Sequence, residues 1–417
     1  MAELEKTIYV YMSEGGSAPL LMGRLFSAVI RGNETFSFEY DKAWLESGSL
    51  PFALDPELAL FSGRHYDSSA KPLFGIFTDS CPDRWGRTLM RRREIITAKN
   101  ENRRPKRLTE SDYLLGVFDD TRMGALRFSL GENLPFLSYD ADISAPPWTT
   151  LRALENASRQ FELGDASNET KWFSQLIAPG SSLGGARPKA SITAPDGSLW
   201  IAKFPSKNDE INVGAWEMVA HDLAALCGLS VSKARLETFS ALGSTYLVKR
   251  FDRNGGRRIH FASAMTLLNK TDGADADETS YLDLASFIRS NGAAPERDLT
   301  ELWKRIVFSI AISNTDDHLR NHGFLLDKRG WVLSPMFDVN PSYGDCLSLN
   351  IDQSSNLMDF ELALETSKYY GIGLDEARAV IGEMTRIIDK KRNAIARSYG
   401  LSQDEISSME SAFNLNF

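Results

Sequence analysis

Apolar positions come in short strand-like runs near the start of the chain and at helical spacing further on. "TIYVYMS", "GRLFSAVI" and "TFSFEY" are rich in β-branched and aromatic residues and predict an opening β-meander. "PDRWGRTLMRRREIITA" predicts a helix and "MGALRFSL" another strand. Residues 140–180 read as a polar connector plus a helix in "WTTLRALENASRQFEL". "KASIT" and "SLWIAKF" then predict two strands joined by the Pro-Asp-Gly turn of "APDG". "EINVGAWEMVAHDLAALCGL" predicts a helix closed by Gly228. "TYLVKRFDR" gives one more strand.

From about Ala262 onward helical spacing dominates, with one exception. In "GFLLDKRGWVLSPMFD" two short strands, around 324–326 and 331–333, flank the turn "DKRG". The expected class is therefore α+β, a mixed α/β half followed by a mostly helical half. No internal repeat or low-complexity tract appears.

A chain of 417 residues is long for one core, so two or three domains are expected. Its 42% hydrophobic and 25% charged residues are ordinary globular composition. The net charge of −9 argues against a protein that coats nucleic acid by bulk charge. Three scattered cysteines, Cys81, Cys227 and Cys346, suit a reducing compartment and give no zinc or disulfide framework. The start "MAELEKTIYVYMS" does not have the pattern of a signal peptide, and no run reaches the ~18 apolar residues of a membrane span. A cytoplasmic protein with no membrane partner is expected.

The densest polar stretch is "SNTDDHLRNHGF", directly after the apolar run "LWKRIVFSIAI". Asp316 and Asn321 form D-x-x-x-x-N, the spacing that kinase catalytic loops use for a base aspartate and a metal-binding asparagine. The asparagine carbonyl suits Mg²⁺, a hard cation that prefers oxygen. The following hairpin returns the chain to Asp338 in "SPMFDVNP", so Asn321 and Asp338 can share one metal. The competing reading of Asp316 and Asp317 is a polar turn at a helix end. His318 and His322, four apart, could instead be a metal pair, but no HExxH pattern supports it.

Upstream, "SSLGGARPK" puts Gly184 and Gly185 where backbone N–H groups could approach phosphate oxygens, with Arg187 and Lys189 adding charge. The alternative is a flexible entry to a hairpin. Lys203 sits in the apolar strand "WIAKFP", where a lysine needs a partner. Nucleotide phosphates would serve, with Glu217 on the next helix as its ion-pair partner. A lysine snorkelling from an edge strand is the other reading. "YLVKRFDR" lies where a hinge between lobes would be, with Lys249 and Phe251 as candidates to meet adenine.

Five segments, "SSLGGARPKA", "WIAKFPS", "YLVKRFDR", "SNTDDHLRNHGF" and "SPMFDVNP", stand in the order seen in the HipA family. "FTDSCPDRWGRTLM" and "DDTRMGALRF" extend the likeness, so the chain resembles that family over nearly its whole length. HipA proteins are serine/threonine protein kinases, best known as toxins of bacterial toxin–antitoxin pairs. The resemblance implies a protein-kinase-like two-lobed fold. Residues 1–135 would be a HipA N-terminal-like subdomain, 136–255 the kinase N-lobe and 256–417 the helical C-lobe.

The same resemblance implies ATP and Mg²⁺ as cofactors, Asp316 as catalytic base, and Asn321 and Asp338 as metal ligands. Gly184, Gly185, Ala186, Arg187, Pro188 and Lys189 would form the phosphate loop, with Lys203 as the phosphate-contacting lysine. Lys249, Arg250 and Phe251 would line the adenine hinge, and His318 and Phe337 the nucleotide site. Ser182 matches the loop serine that the family autophosphorylates, with Ser181 beside it. Implied partners are a HipB-like helix-turn-helix antitoxin and a protein substrate, with DNA reached through the antitoxin. After "KRFDR" the chain carries "IHFASAMTLLNK" where better-known members have a Gln-Glu-Asp type segment, which leaves the protein target open.

Two other functions fit parts of the pattern. One is a small-molecule phosphotransferase of related fold, the other a non-catalytic co-repressor acting with a DNA-binding antitoxin. Retention of Asp316, Asn321, Asp338 and Lys203 together speaks against the second. A metal-dependent hydrolase lacks a third ligand at readable spacing. From Arg84 to Arg107 the chain carries ten Lys or Arg and two acidic residues. That tract is either a solvated face or a contact surface for phosphates.

Overall fold

The computed structural model describes residues 5–16, 18–48, 50–67, 71–132, 134–137, 145–164, 176, 185, 187–271, 273 and 279–417. The chain divides into two compact units. One comprises Met1–Ala202 and Asp252–Thr271, the other Lys203–Phe251 and Asp272–Phe417. Among the described residues no helix is long and apolar enough to cross a membrane.

The first unit contains the expected meander. Lys6–Met12, Leu20–Ile30 and Asn33–Tyr40 pair antiparallel, and Arg64–Tyr66 and Leu126–Ser129 complete a five-stranded sheet. Period-two patterning sets the register: Ile8 faces Leu25, Leu25 faces Phe38, and all three are fully buried. The hairpin closes through Arg31 and Gly32, both at positive φ, which matches the twist of the flanking strands. Gly23 has no tolerable replacement here, since a Cβ would lie 2.3 Å from the Glu39 carbonyl oxygen.

The helix Arg84–Asn100 starts at Asp83, whose carboxylate accepts from Gly86 N at 2.8 Å, and buries Trp85, Leu89 and Met90. Strands Lys189–Thr193 and Leu199–Lys203 follow as expected, their turn ending at Gly197 with φ +77°.

The second unit is mostly helical, as the pattern predicts. Its helix Val213–Leu226 is capped by Asn212 and followed by Gly228 at φ +76°. The strand Gly243–Lys249 pairs with Ala234–Ser240, an element the sequence pattern does not announce. The helix Pro295–Ala311 begins with proline and two acidic residues in its first turn and buries Leu302, Trp303, Ile306 and Ile310. Trp303 Nε1 donates to the Ala363 carbonyl at 2.8 Å, fixing the helix to the segment after the hairpin. The hairpin itself spans Gly323–Asp327 and Gly330–Leu333, with Phe324 opposite Leu333. Asp298 accepts from Leu333 N at 3.0 Å, so the long helix also carries the hairpin.

Candidate active site

Three charged side chains meet in the second unit. Lys203 Nζ donates to Glu217 Oε1 and, at 2.6 Å, to Asp338 Oδ1. Burial alone would pull the lysine pKa down, but the two carboxylates outweigh it and hold the ammonium charged. Its charge also lies 5.7 Å from the Tyr246 ring centroid. A solvent-directed edge lysine is thereby ruled out: Lys203 is half-buried and paired with two carboxylates. Glu217, its partner, lies on the helix Val213–Leu226.

Asp338 has φ +57°, in the left-handed region. A residue with a side chain occupies that region at a cost of about 1–2 kcal/mol, and aspartate tolerates it better than most. The chain bends there and turns the carboxylate onto Lys203. The next residues are anchored: Asn340 N donates to Asn314 Oδ1 at 3.3 Å.

The loop after the long helix separates its two aspartates by environment. Asp316 has a side chain 81% exposed, with His318 Nε2 at 3.7 Å. Asp317 is buried: its Oδ2 accepts from Tyr281 OH at 2.6 Å and from Ser309 Oγ at 3.1 Å. Its Oδ1 lies 2.9 Å from His322 Nε2, an ion-pair separation with the ring N–H not aimed along the hydrogen-bond line. Burial pushes the Asp317 carboxyl up, but the His322 charge and these hydrogen bonds prevail and hold it below the usual carboxylate range. Asp316 is thus the exposed member of the pair and Asp317 the buried one.

Asn321 is 4% exposed, and its Nδ2 donates to the Asp316 carbonyl at 2.7 Å. That bond fixes the amide orientation and leaves Oδ1 buried without a hydrogen-bond partner among the described residues. An orphaned buried carbonyl oxygen is costly unless something outside the chain engages it. An amide oxygen of this kind, like the carboxylate oxygens of Asp338, is a donor type that fits a hard divalent cation. Ser334 N donates to the Gly323 carbonyl at 2.8 Å, closing the hairpin two residues after Asn321 and four before Asp338. His322 Nε2 lies against the Asp317 carboxylate rather than facing His318 alone. Among the described residues no group of three or more His, Cys, Asp or Glu could hold a metal.

Of the hinge candidates, Phe251 lies tilted at 39° against Phe337, centroids 5.5 Å apart, while Lys249 N donates to the Lys233 carbonyl at 2.8 Å and Arg250 is buried. Gly184, Ala186, Ser181 and Ser182 lie outside the described residues. Gly185, Arg187, Pro188 and Lys189 belong to the first unit. Gly185 has φ +87°, a conformation glycine favours. The Lys189 ammonium is buried 3.0 Å from Asp83 Oδ2, and Trp85 Nε1 donates to the Lys189 carbonyl at 3.0 Å. The positive charge expected of Lys189 is thus already matched by a carboxylate.

Several supporting residues escape sequence reasoning. Ser342 Oγ donates to the Ser313 carbonyl at 2.6 Å and meets Thr315 Oγ1 at 2.7 Å, and Ser348 Oγ donates to the Thr315 carbonyl at 2.7 Å. Tyr281 and Ser309 are also missed. The one available signal is Ser309 itself, a hydroxyl inside the apolar run "LWKRIVFSIAI".

The HipA-like C-terminal domain profile matches residues 181–392, just over half of the chain, and the HipA N-terminal domain profile matches residues 20–111. The chain belongs to the HipA family. It is 28% identical over 247 residues to a Sinorhizobium fredii protein named Putative kinase Y4mE, a stretch spanning 52% of this chain and 56% of that one. A second protein of that species, named Putative kinase Y4dM, is 26% identical over 34% of this chain and 37% of its own length. The chain thus spans little more than half of the first of these relatives. HipA of Shewanella oneidensis MR-1, solved with HipB and operator DNA, superposes with TM-score 0.65 at 16% identity, covering 97% of this chain and 94% of that one. The fold class is therefore the expected one, α+β with a kinase-like two-lobed architecture.

Proposed function

We propose that this chain is an ATP- and Mg²⁺-dependent serine/threonine protein kinase of the HipA type. The observation that carries the reading is the Glu217–Lys203–Asp338 bridge, next to a loop that exposes Asp316 and leaves Asn321 Oδ1 unpaired. Asn321 and Asp338 would hold the Mg²⁺, which draws charge from the phosphate oxygens when bound. Lys203 steadies the Asp338 carboxylate and offers its ammonium to phosphate. As a substrate hydroxyl oxygen bonds to the γ-phosphorus and the bond to the ADP oxygen breaks, Asp316 takes the hydroxyl proton.

Phe251 and Phe337, with Lys249 and Arg250, are assigned to the adenine side. His318 is assigned to the nucleotide site, and residues Gly184, Gly185, Ala186, Arg187, Pro188 and Lys189 to the phosphate loop. Segments 1–135, 136–255 and 256–417 remain our proposed functional division. A cytoplasmic location, a protein substrate and a HipB-like helix-turn-helix partner complete the reading. The last draws on the Shewanella complex, in which HipA is seen with HipB and operator DNA.

The test is incubation of the purified chain with labelled ATP, Mg²⁺ and a cell lysate, with Asp316→Ala alongside. Label in a protein band that Asp316→Ala fails to produce is the expected result. Absence of label from the active-site-intact chain, in lysate and on the chain itself, overturns the reading. Mass spectrometry of the chain after Mg-ATP should locate a phosphate on Ser182, with Ser181 as the alternative.

A further inference from the structure

The acid next to the base has no role in the reaction as described, yet it is the most fully engaged carboxylate of the loop. Asp317 contacts three separate elements. Tyr281 is the first residue of the helix Tyr281–Asn291, Ser309 lies on Pro295–Ala311, and His322 follows Asn321 at the loop's end. Tyr281 also stacks edge-on against His322, with centroids 5.6 Å apart at 89°. Tyr281 N donates to the Asn350 carbonyl at 2.9 Å, so the same anchor reaches the segment beyond Asp338.

The placement in sequence gives this cluster its consequence. Asp317 directly follows the base Asp316, and His322 directly follows the metal-ligand candidate Asn321. An Asp317–His322 contact therefore closes the loop between those two residues. With the Asn321 Nδ2 bond to the Asp316 carbonyl, it holds their separation from both sides. Ser313 at φ +48° marks the strained entry to this loop, which needs such support.

We infer that Asp317 is a positioning residue for phosphoryl transfer, acting with His322 and Tyr281 to set the distance between the base and the metal-binding asparagine. The inference rests on the kinase reading above. A misplacement of about 1 Å at a reacting group can cost on the order of 100-fold in rate. Loss of the clamp should therefore appear in kcat, with the KM for ATP nearly unchanged, because Lys203 and Asp338 are not touched. A role in folding alone would instead lower the fraction of molecules that bind nucleotide, and leave kcat per binding site intact.

The experiment measures kcat per nucleotide-binding site and KM for ATP, using the full chain with Mg²⁺ and a labelled protein substrate or its own autophosphorylation. The variants are Asp317→Asn, His322→Ala, the double variant and Tyr281→Phe. Asp317→Asn and His322→Ala should each lower kcat by about tenfold or more with KM changed less than about threefold. Their combination should lose no more than the worse single variant, since both break one contact. Tyr281→Phe removes one hydroxyl and keeps the ring, so it remains informative if an Asp317 variant does not fold. It should lower kcat less than Asp317→Asn, but measurably. Wild-type kcat per site in Asp317→Asn, or in Tyr281→Phe where the former is unfolded, overturns the inference while the kinase reading stands. So do losses that multiply in the double variant. An intact chain without any transfer overturns the kinase reading and this inference with it.

Discussion

Lys203 Nζ and Asp338 Oδ1 lie 2.6 Å apart across 135 positions of sequence, and the same ammonium is held by Glu217. One cation thus serves two carboxylates that would otherwise repel each other in a partly buried site.

Replacing Lys203 with Met should therefore damage the fold as well as the chemistry. It leaves two acids without their shared cation, and breaking a buried pair from one side costs roughly 3–5 kcal/mol. Thermal unfolding should show a clear drop in Tm. An unchanged Tm would mean that the bridge is not formed in solution.

The two aspartates of the loop should fail differently. Asp316→Ala removes an exposed side chain, so Tm should stay near wild type while phosphoryl transfer falls by ~10²–10⁴-fold. Asp317→Ala strands the donors of Tyr281 and Ser309 and should lower stability by about 2–4 kcal/mol. Single-turnover rates and unfolding curves on both variants check this, and the reverse pattern would shift the base by one residue.

Mg-ATP should raise Tm, because a ligand bound only by the folded state stabilises it by about 2.7 kcal/mol at a hundred times its Kd. Asp338→Asn keeps a residue that tolerates φ +57° but removes a charged oxygen. It should fold and lose most of the Mg-dependent shift. Differential scanning fluorimetry with and without Mg²⁺ reads it directly.

A pH effect follows from His221, whose Nδ1 lies 3.1 Å from Asp222 Oδ1 and whose Nε2 lies 2.7 Å from the Ser232 carbonyl. Burial lowers its pKa, but Asp222 and that carbonyl outweigh burial and raise it above 6.5. The folded chain then keeps a proton that the unfolded chain has released. This stabilisation is full below pH 6.5 and is lost as pH rises through the raised folded value. The Tm difference between wild type and His221→Gln should shrink across that window, and a constant difference would refute the assignment.

Much of this was legible because it depends on local pattern. The opening meander follows from alternating apolar residues such as Ile8 and Leu25, and the later hairpin from short apolar strands around "DKRG". The Lys203–Glu217 pair was legible because a charge inside an apolar strand demands a partner. Strand Ala234–Ser240 was not, because neither of its faces is buried. Asp317, Tyr281 and Ser309 were missed for another reason. Each looks ordinary in sequence, and their meaning comes from burial that brings positions 281, 309 and 317 together. Lys189 reads as a free cation in "GGARPK" only because Asp83 is far upstream.

The left-handed backbone at Asp338 restricts how this site could decay over evolutionary time. Shape and chemistry make separate demands there. Glycine or asparagine would satisfy the backbone without the charge, glutamate the charge without the backbone, and aspartate alone answers both. On the proposed kinase reading, a descendant that abandoned phosphoryl transfer would be free to drift toward glycine or asparagine at this one position while keeping its fold. Such a replacement would be a readable mark of a retired enzyme.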